Sequence, residues 1–392
     1  MHPSKTPIAH RPTLLLVGIL LIAANLRAPF TAVPPVLAQV RADFGLSTLA
    51  AGALTTLPLL AFAILSPFSA LFARRYGLER ALAGALFTLL VGIALRGIDQ
   101  VGFLYLGSAV IGLGIAVGNV LLPGLVKRDF PHNVAAITGA YALTMGVAAA
   151  VGSASVIPLA QAWGWRWALL AFGGLTLLTL AVWSTQLGSR SLPATVGATL
   201  RPGGAVWRSA LAWQVTLFLG LNSTIYYVAI GWLPAILAQA GMPPAEAGSV
   251  HGVMQLATAV PGLVLGPIVR RLRDQRAVAV SVSVCSAIAL AGLLLAPHYA
   301  LFWAALFGVG TGGGIILGLS FIGLRTVNAQ QAASLSGMSQ CIGYLLASVG
   351  PIALGALHDV AGSWALPLVL CTVLALLGAL MGLLAGKNRV IS

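Results

Sequence analysis

Charge is scarce in this sequence. Of its 392 residues, 7% are Asp, Glu, Lys or Arg, whereas a soluble domain carries about 25% because its surface must face water. Most of this surface must face something else, and lipid is the simple answer. Acids are scarcer than bases, 7 against 21, and no cluster of His and Asp stands at membrane depth on which an enzyme could be built. Cysteine is limited to Cys285, Cys341 and Cys371, each inside an apolar run. With no CxxC pair and no disulfide framework, redox chemistry and structural zinc are set aside. Gly310, Gly312, Gly313 and Gly314 have no Lys-Ser/Thr after them and no strand before them, so they form no phosphate loop and leave this chain alone without a means of ATP-driven work. No metal or cofactor is expected. The net charge of +14 sits in short clusters rather than along one stripe, which argues against a nucleic-acid partner.

What the chain has in abundance is long apolar runs, 59% hydrophobic residues and 46 glycines. A membrane helix needs about 20 apolar residues. Such runs are expected near 13–39, 47–73, 80–97, 102–126, 135–160, 165–187, 211–238, 246–269, 277–296, 301–324, 334–357 and 364–385. Lys5 and Arg11 ahead of the first run resemble the start of a signal peptide, but the run is read as a retained helix. Basic residues concentrate on one side of the alternation, at Arg74, Arg75 and Arg80, at Lys127 and Arg128, at Arg270, Arg271, Arg273 and Arg276, and at Lys387 and Arg389. Arg41, Arg96 and Arg166 fall on the other. The positive-inside rule then places both termini in the cytoplasm.

The chain also repeats itself. Ala70, Arg74, Arg75 and Arg80 match Gly266, Arg270, Arg271 and Arg276 at an offset of 196, and Gly112, Gly114 and Gly118 match Gly308, Gly310 and Gly314 at the same offset. Thr138-Gly139 pairs with Ser336-Gly337, Trp167-Ala168-Leu169 with Trp364-Ala365-Leu366, and Pro34 with Pro234. The expected organisation is an all-α membrane protein of twelve helices. Two six-helix halves, 1–187 and 211–392, flank a cytoplasmic linker at 188–210. Parallel repeats about an axis along the membrane normal are the architecture of the major facilitator superfamily.

Within that superfamily the sequence resembles the cyanate and 2-nitroimidazole transporter branch, closer to its nitroimidazole side. The resemblance rests on Asn25-Leu26-Arg27, on LLPGLVKRDFP from Leu121 to Pro131, on TGAYALTMG from Thr138 to Gly146, on GWLPAIL from Gly231 to Leu237 and on SLSGMSQ from Ser334 to Gln340. It implies a secondary transporter working by alternating access in a bacterial inner membrane. It also implies that the first, fourth, seventh and tenth helices line the cavity while the third, sixth, ninth and twelfth face lipid. The superfamily's loop between helices 2 and 3 usually carries an Asp where this chain has Arg74, with Glu79 the nearest acid.

Arg27 is the strongest site signal. It lies roughly 21 Å along its helix from Thr13, within a core ~30 Å thick. An unpaired guanidinium there costs at least ~2.5–3.5 kcal/mol, so it needs a wet cavity or a partner. No span offers an acid at that depth. The readings are that Arg27 caps carbonyls freed near Pro29 and Pro34, that it snorkels outward, or that its counter-charge is the substrate, an anion or a neutral molecule with strong acceptors. Asn25, Asn222, Tyr226, Tyr227, Gln255, Gln340, Tyr344 and Tyr141 are further candidates for substrate contact, with Thr55 and Thr56 beside them. His251 is the candidate for proton coupling. The expected partners are a small-molecule substrate, protons if transport is coupled to them, and membrane lipid, with the monomer as the working unit. A proton-antiporting exporter of cationic drugs is the competing reading, and it lacks an intramembrane acid.

Overall fold

The computed structural model describes residues 12–130, 133–187, 204–327 and 329–391. Among them, twelve helices are long and apolar enough to cross a membrane. They are α1 (Thr13–Phe44), α2 (Thr48–Ser66), α3 (Leu78–Arg96), α4 (Val101–Val126), α5 (Ile137–Trp163), α6 (Trp165–Ser184), α7 (Ala210–Gln239), α8 (Pro244–Leu265), α9 (Arg276–Leu295), α10 (Pro297–Leu324), α11 (Ser334–Ala361) and α12 (Ala365–Ala385). Each expected run finds its helix. Lys5, Arg11 and most of the expected linker lie outside the described residues.

The repeat seen in the sequence is a repeat of contacts. In the first half Gly112 abuts Pro58 of α2, Gly114 abuts the Ala85 carbonyl of α3, and Gly118 abuts Leu26 of α1. In the second half Gly308 abuts Met254 of α8, Gly310 the Val282 carbonyl of α9, and Gly314 Asn222 of α7. A Cβ at Gly114 or Gly310 would stand 2.7 and 2.8 Å from those carbonyls. Glycine is therefore required at these positions by close helix approach, the device that membrane interiors use in place of a hydrophobic driving force.

Offsets of 196 (Glu79 to Gln275) and 197 (Arg128 to Arg325) relate two latches at the face carrying the chain ends. Arg128, at the end of α4, pairs with Glu79 at the start of α3 and with Asp129 at 2.8 Å. In the second half Arg325 donates to the Gln275 side chain and to the Ala385 carbonyl at 2.8 Å. Glu79, the acid nearest the α2–α3 loop, is thus paired with the end of α4. Its counterpart is a neutral amide.

Two helices are interrupted. Pro29 lacks an N–H and its ring excludes a regular turn behind it, so α1 breaks at Leu26 and Arg27 and resumes as a short helix at Ala28–Thr31. α8 breaks after Ala257 and restarts at Val260, one residue ahead of Pro261.

Arg96 departs from the expectation of a loop residue. It is 3% exposed and turns inward from the last turn of α3. Its Nη1 donates to the Pro29 carbonyl at 2.9 Å and its Nε to Ser108 Oγ at 3.1 Å. The carbonyl freed near Pro29 is thus capped by Arg96, not by Arg27.

Polar contacts between the halves gather toward the face opposite the chain ends. Thr56 Oγ1 donates to the Ser348 carbonyl at 2.9 Å, and the Leu49 amide donates to Asp359 at 3.2 Å. His251 Nδ1 shares a hydrogen bond of 2.9 Å with Ser153 Oγ. Gly52 seats against Pro351, and Gly248 and Gly252 seat against α5. This face is closed. Toward the chain ends the halves part and a cavity remains.

Candidate functional site: a cavity at the break in the first helix

The cavity has a volume of about 390 Å³. Its wall combines α1, α2, α4, α5, α7, α10 and α11, and none of its lining residues comes from α3, α6, α9 or α12. The broken turn of α1 presents Arg27 to it. From there the cavity runs toward the chain ends past Ser66, Pro123, Leu319 and Gln340.

Arg27 has no carboxylate within salt-bridge distance among the described residues. Its Nη1 donates to the Tyr226 hydroxyl at 3.3 Å, and its guanidinium lies 5.8 Å from the centre of that ring. The acids stand elsewhere: Asp43 and Asp99 near Arg166, Glu79 and Asp129 at Arg128, Asp274 at Arg276, Asp359 beside His358, and Glu246 in the first turn of α8. An aromatic group closes the wall around the cation. Tyr227 stands edge-on to Phe30 at 6.1 Å and to Tyr226 at 5.2 Å, and Tyr344 stands edge-on to Phe62 at 5.5 Å. A flat ligand placed here would meet ring faces and edges together with hydrogen-bond donors.

Of the residues singled out in the sequence, Arg27, Tyr227, Tyr344, Tyr141 and Gln340 line this cavity. Tyr226 and Gln255 line a smaller one that shares Arg27. The adjacent α7 tyrosines thus face different spaces, Tyr227 the larger cavity and Tyr226 the smaller.

The remaining candidates point elsewhere. Asn25 is fully buried against α6, where its Nδ2 donates to Thr179 Oγ1 at 2.7 Å and its Oδ1 accepts from Thr176 Oγ1 at 2.6 Å. Asn222 donates to the Thr311 carbonyl at 3.0 Å and packs on Gly314. Thr55 bonds the Gly52 carbonyl of its own helix and Thr56 bonds α11. His251, with no exposed surface, lies between α8 and α5 and lines neither cavity.

Sequence reasoning missed Asn119, Ser66, Ser223 and Ser339, all on the cavity wall. Asn119 has no hydrogen-bond partner among the described residues, so its amide is free for a ligand. The signal was a lone amide near the middle of an otherwise apolar span.

Asn25 supports a stability prediction. In Asn25→Val, both threonines keep their bonds to the Phe172 and Leu175 carbonyls of α6. The variant should lose about 1 kcal/mol of stability, as for a typical interhelical bond in a membrane. Ligand affinity should stay within about twofold of wild type. Thermal unfolding and ligand titration on one preparation measure both quantities, and a large loss of affinity with unchanged stability would contradict the placement.

Two equivalent bundles of six spans, enclosing a cavity closed at one face, define a multi-pass membrane transporter rather than an enzyme. The chain belongs to the Major Facilitator Superfamily, whose family model matches residues 15–351. It is 51% identical over 376 residues to a 2-nitroimidazole transporter of Escherichia coli (strain K12), covering 96% of each chain. It is 27% identical over 353 residues to the cyanate transport protein of the same organism, covering 89% of this chain and 91% of that one. A crystal structure of a bacterial homologue of the human lysosomal transporter Spinster, inward-facing and occupied, shares the fold. Its TM-score is 0.77 at 14% identity, over 97% of this chain and 98% of that one.

Proposed function

We propose that this protein carries a small planar molecule rich in hydrogen-bond acceptors, either a nitro-heterocycle or a small organic or inorganic anion, across a bacterial inner membrane. The observation that carries the reading is Arg27: a guanidinium facing a cavity at the break of α1, with no acid beside it among the described residues. A charge in that position is stabilised by a ligand that supplies acceptor oxygens or negative charge. The substrates for which the two relatives are named, a nitroimidazole and cyanate, both meet that description. The closed face and the cavity reaching the other match one state of an alternating-access cycle, in which the halves rock about the site. With the basic loops inside, the cavity faces the cytoplasm. The monomer holds the whole site. Because His251 is sealed between the halves, this reading assigns it no proton-carrying role.

Transport by purified protein in liposomes tests the proposal. Saturable movement of 2-nitroimidazole or of a small anion such as cyanate is expected, with a cationic dye neither carried nor competing. Dye transport without movement of either probe class would favour the cationic-drug exporter and defeat this reading.

A further inference from the structure

The smaller cavity, about 160 Å³, lies between α5, α8 and α10. Arg27 and Tyr226 lead into it, Gln255 and Thr258 supply its polar atoms, and Gly146 and Ala149 keep its far wall thin. Gln255 is 1% exposed. Its Oε1 accepts a hydrogen bond from the Tyr226 hydroxyl at 2.9 Å. Its Nε2 is sealed from solvent and has no partner among the described residues.

The direction of these bonds is fixed by chemistry. A guanidinium can only donate, so at Tyr226 the oxygen accepts from Arg27 and the single hydroxyl proton goes onward to Gln255. The amide must then turn its oxygen toward Tyr226 and its NH₂ away. The reverse orientation would give Tyr226 two donors and leave its own proton unused. The Thr258 hydroxyl proton is already spent, donating to the main-chain carbonyl of Gln255 at 2.6 Å. What remains unpartnered here among the described residues is the NH₂ of Gln255, beside the Arg27 guanidinium that lines the same cavity. A buried amide without its partner costs about 1–3 kcal/mol, and a Leu would fill the same space without that cost. Its presence points to an acceptor that arrives from outside the chain.

We infer that this second cavity is a subsite for an acceptor oxygen of the substrate, a nitro or carboxylate oxygen, bound by the Gln255 NH₂ while Arg27 holds the same group from the larger cavity. The inference rests on the proposed docking of substrate at Arg27 and adds a second donor that selects among ligands. A ring without an acceptor substituent leaves the Gln255 NH₂ unsatisfied and binds weakly.

The test uses the full purified chain and two probes of similar shape, 2-nitroimidazole and 2-methylimidazole, with imidazole-2-carboxylate as the anionic counterpart. Wild type is expected to bind the nitro and carboxylate probes in preference to the methyl probe. Gln255→Leu should weaken the nitro and carboxylate probes roughly tenfold and leave the methyl probe unchanged. Gln255→Glu, which sets a carboxylate near Arg27, should weaken the two acceptor probes further. Equal loss for all three probes in Gln255→Leu, or no loss for any, overturns the subsite and leaves the role of Arg27 standing. Failure of wild type to bind either acceptor probe overturns the substrate reading and the subsite with it.

Discussion

Arg27→Ala is expected to lower affinity for 2-nitroimidazole or a small anion by at least ~100-fold while the protein stays folded. A planar guanidinium offers two parallel charge-assisted hydrogen bonds to a nitro or carboxylate group. Each such bond to a charged group contributes about 1.5–3 kcal/mol, and 1.4 kcal/mol is a factor of about ten in binding. Stability should not suffer in proportion. The side chain has no ion pair among the described residues, its polar neighbours are the Tyr226 and Tyr227 hydroxyls, and Tyr226 keeps Gln255 as acceptor. Removing an unpaired charge from membrane depth relieves a desolvation cost. Arg27→Lys keeps the charge but not the fork, and should fall between, weakened about tenfold. Calorimetric titration together with thermal unfolding separates the two effects. Normal affinity in Arg27→Ala would show that substrate docks elsewhere.

The second large effect concerns the closed face. At Gly252 a Cβ would stand 2.9 Å from the Ala150 carbonyl of α5. In Gly252→Leu the rest of the side chain has to enter the same seam. Overpacking of this kind costs about 1–3 kcal/mol, and here the cost falls on the closed arrangement alone because α5 and α8 belong to different halves. A two-state carrier responds by shifting population toward the state in which that seam is open. A single cysteine placed at Ser348, on a background lacking Cys285, Cys341 and Cys371, reports the shift. Reaction with an impermeant maleimide added on the closed side should quicken at least about tenfold relative to the Gly252 parent. Net transport should fall to near zero, since the cycle stalls in one state. Wild-type labelling and transport would mean that α5 and α8 do not separate during the cycle.

These results bear on what the sequence could disclose. The spans were legible because lipid leaves a long uniform record, and the repeat because the paired glycines stand at backbone contacts that tolerate nothing larger. Arg27 was legible as a charge without local compensation. Arg96 was not. Its position near a span end reads as a loop, and the carbonyl it serves belongs to a different helix 67 residues away. The placement of Asn25 has a local reason: residues two apart on a helix face different directions. Asn25 accordingly meets α6 while Arg27 meets the cavity. Which of the two α7 tyrosines faces which space depends on the neighbouring helices, and no pattern within α7 encodes that.

Arg96 and Arg27 divide their work. Arg96 is committed to the protein, and on the proposed reading Arg27 keeps a net positive charge at membrane depth until cargo arrives. Rocking of the halves with the site empty therefore displaces charge through whatever share of the transmembrane voltage falls across the site, up to about 2.3 kcal/mol per elementary charge per 100 mV. An anionic cargo cancels that displacement and a neutral nitro compound does not, so the electrical signature of turnover differs between the two cargo classes.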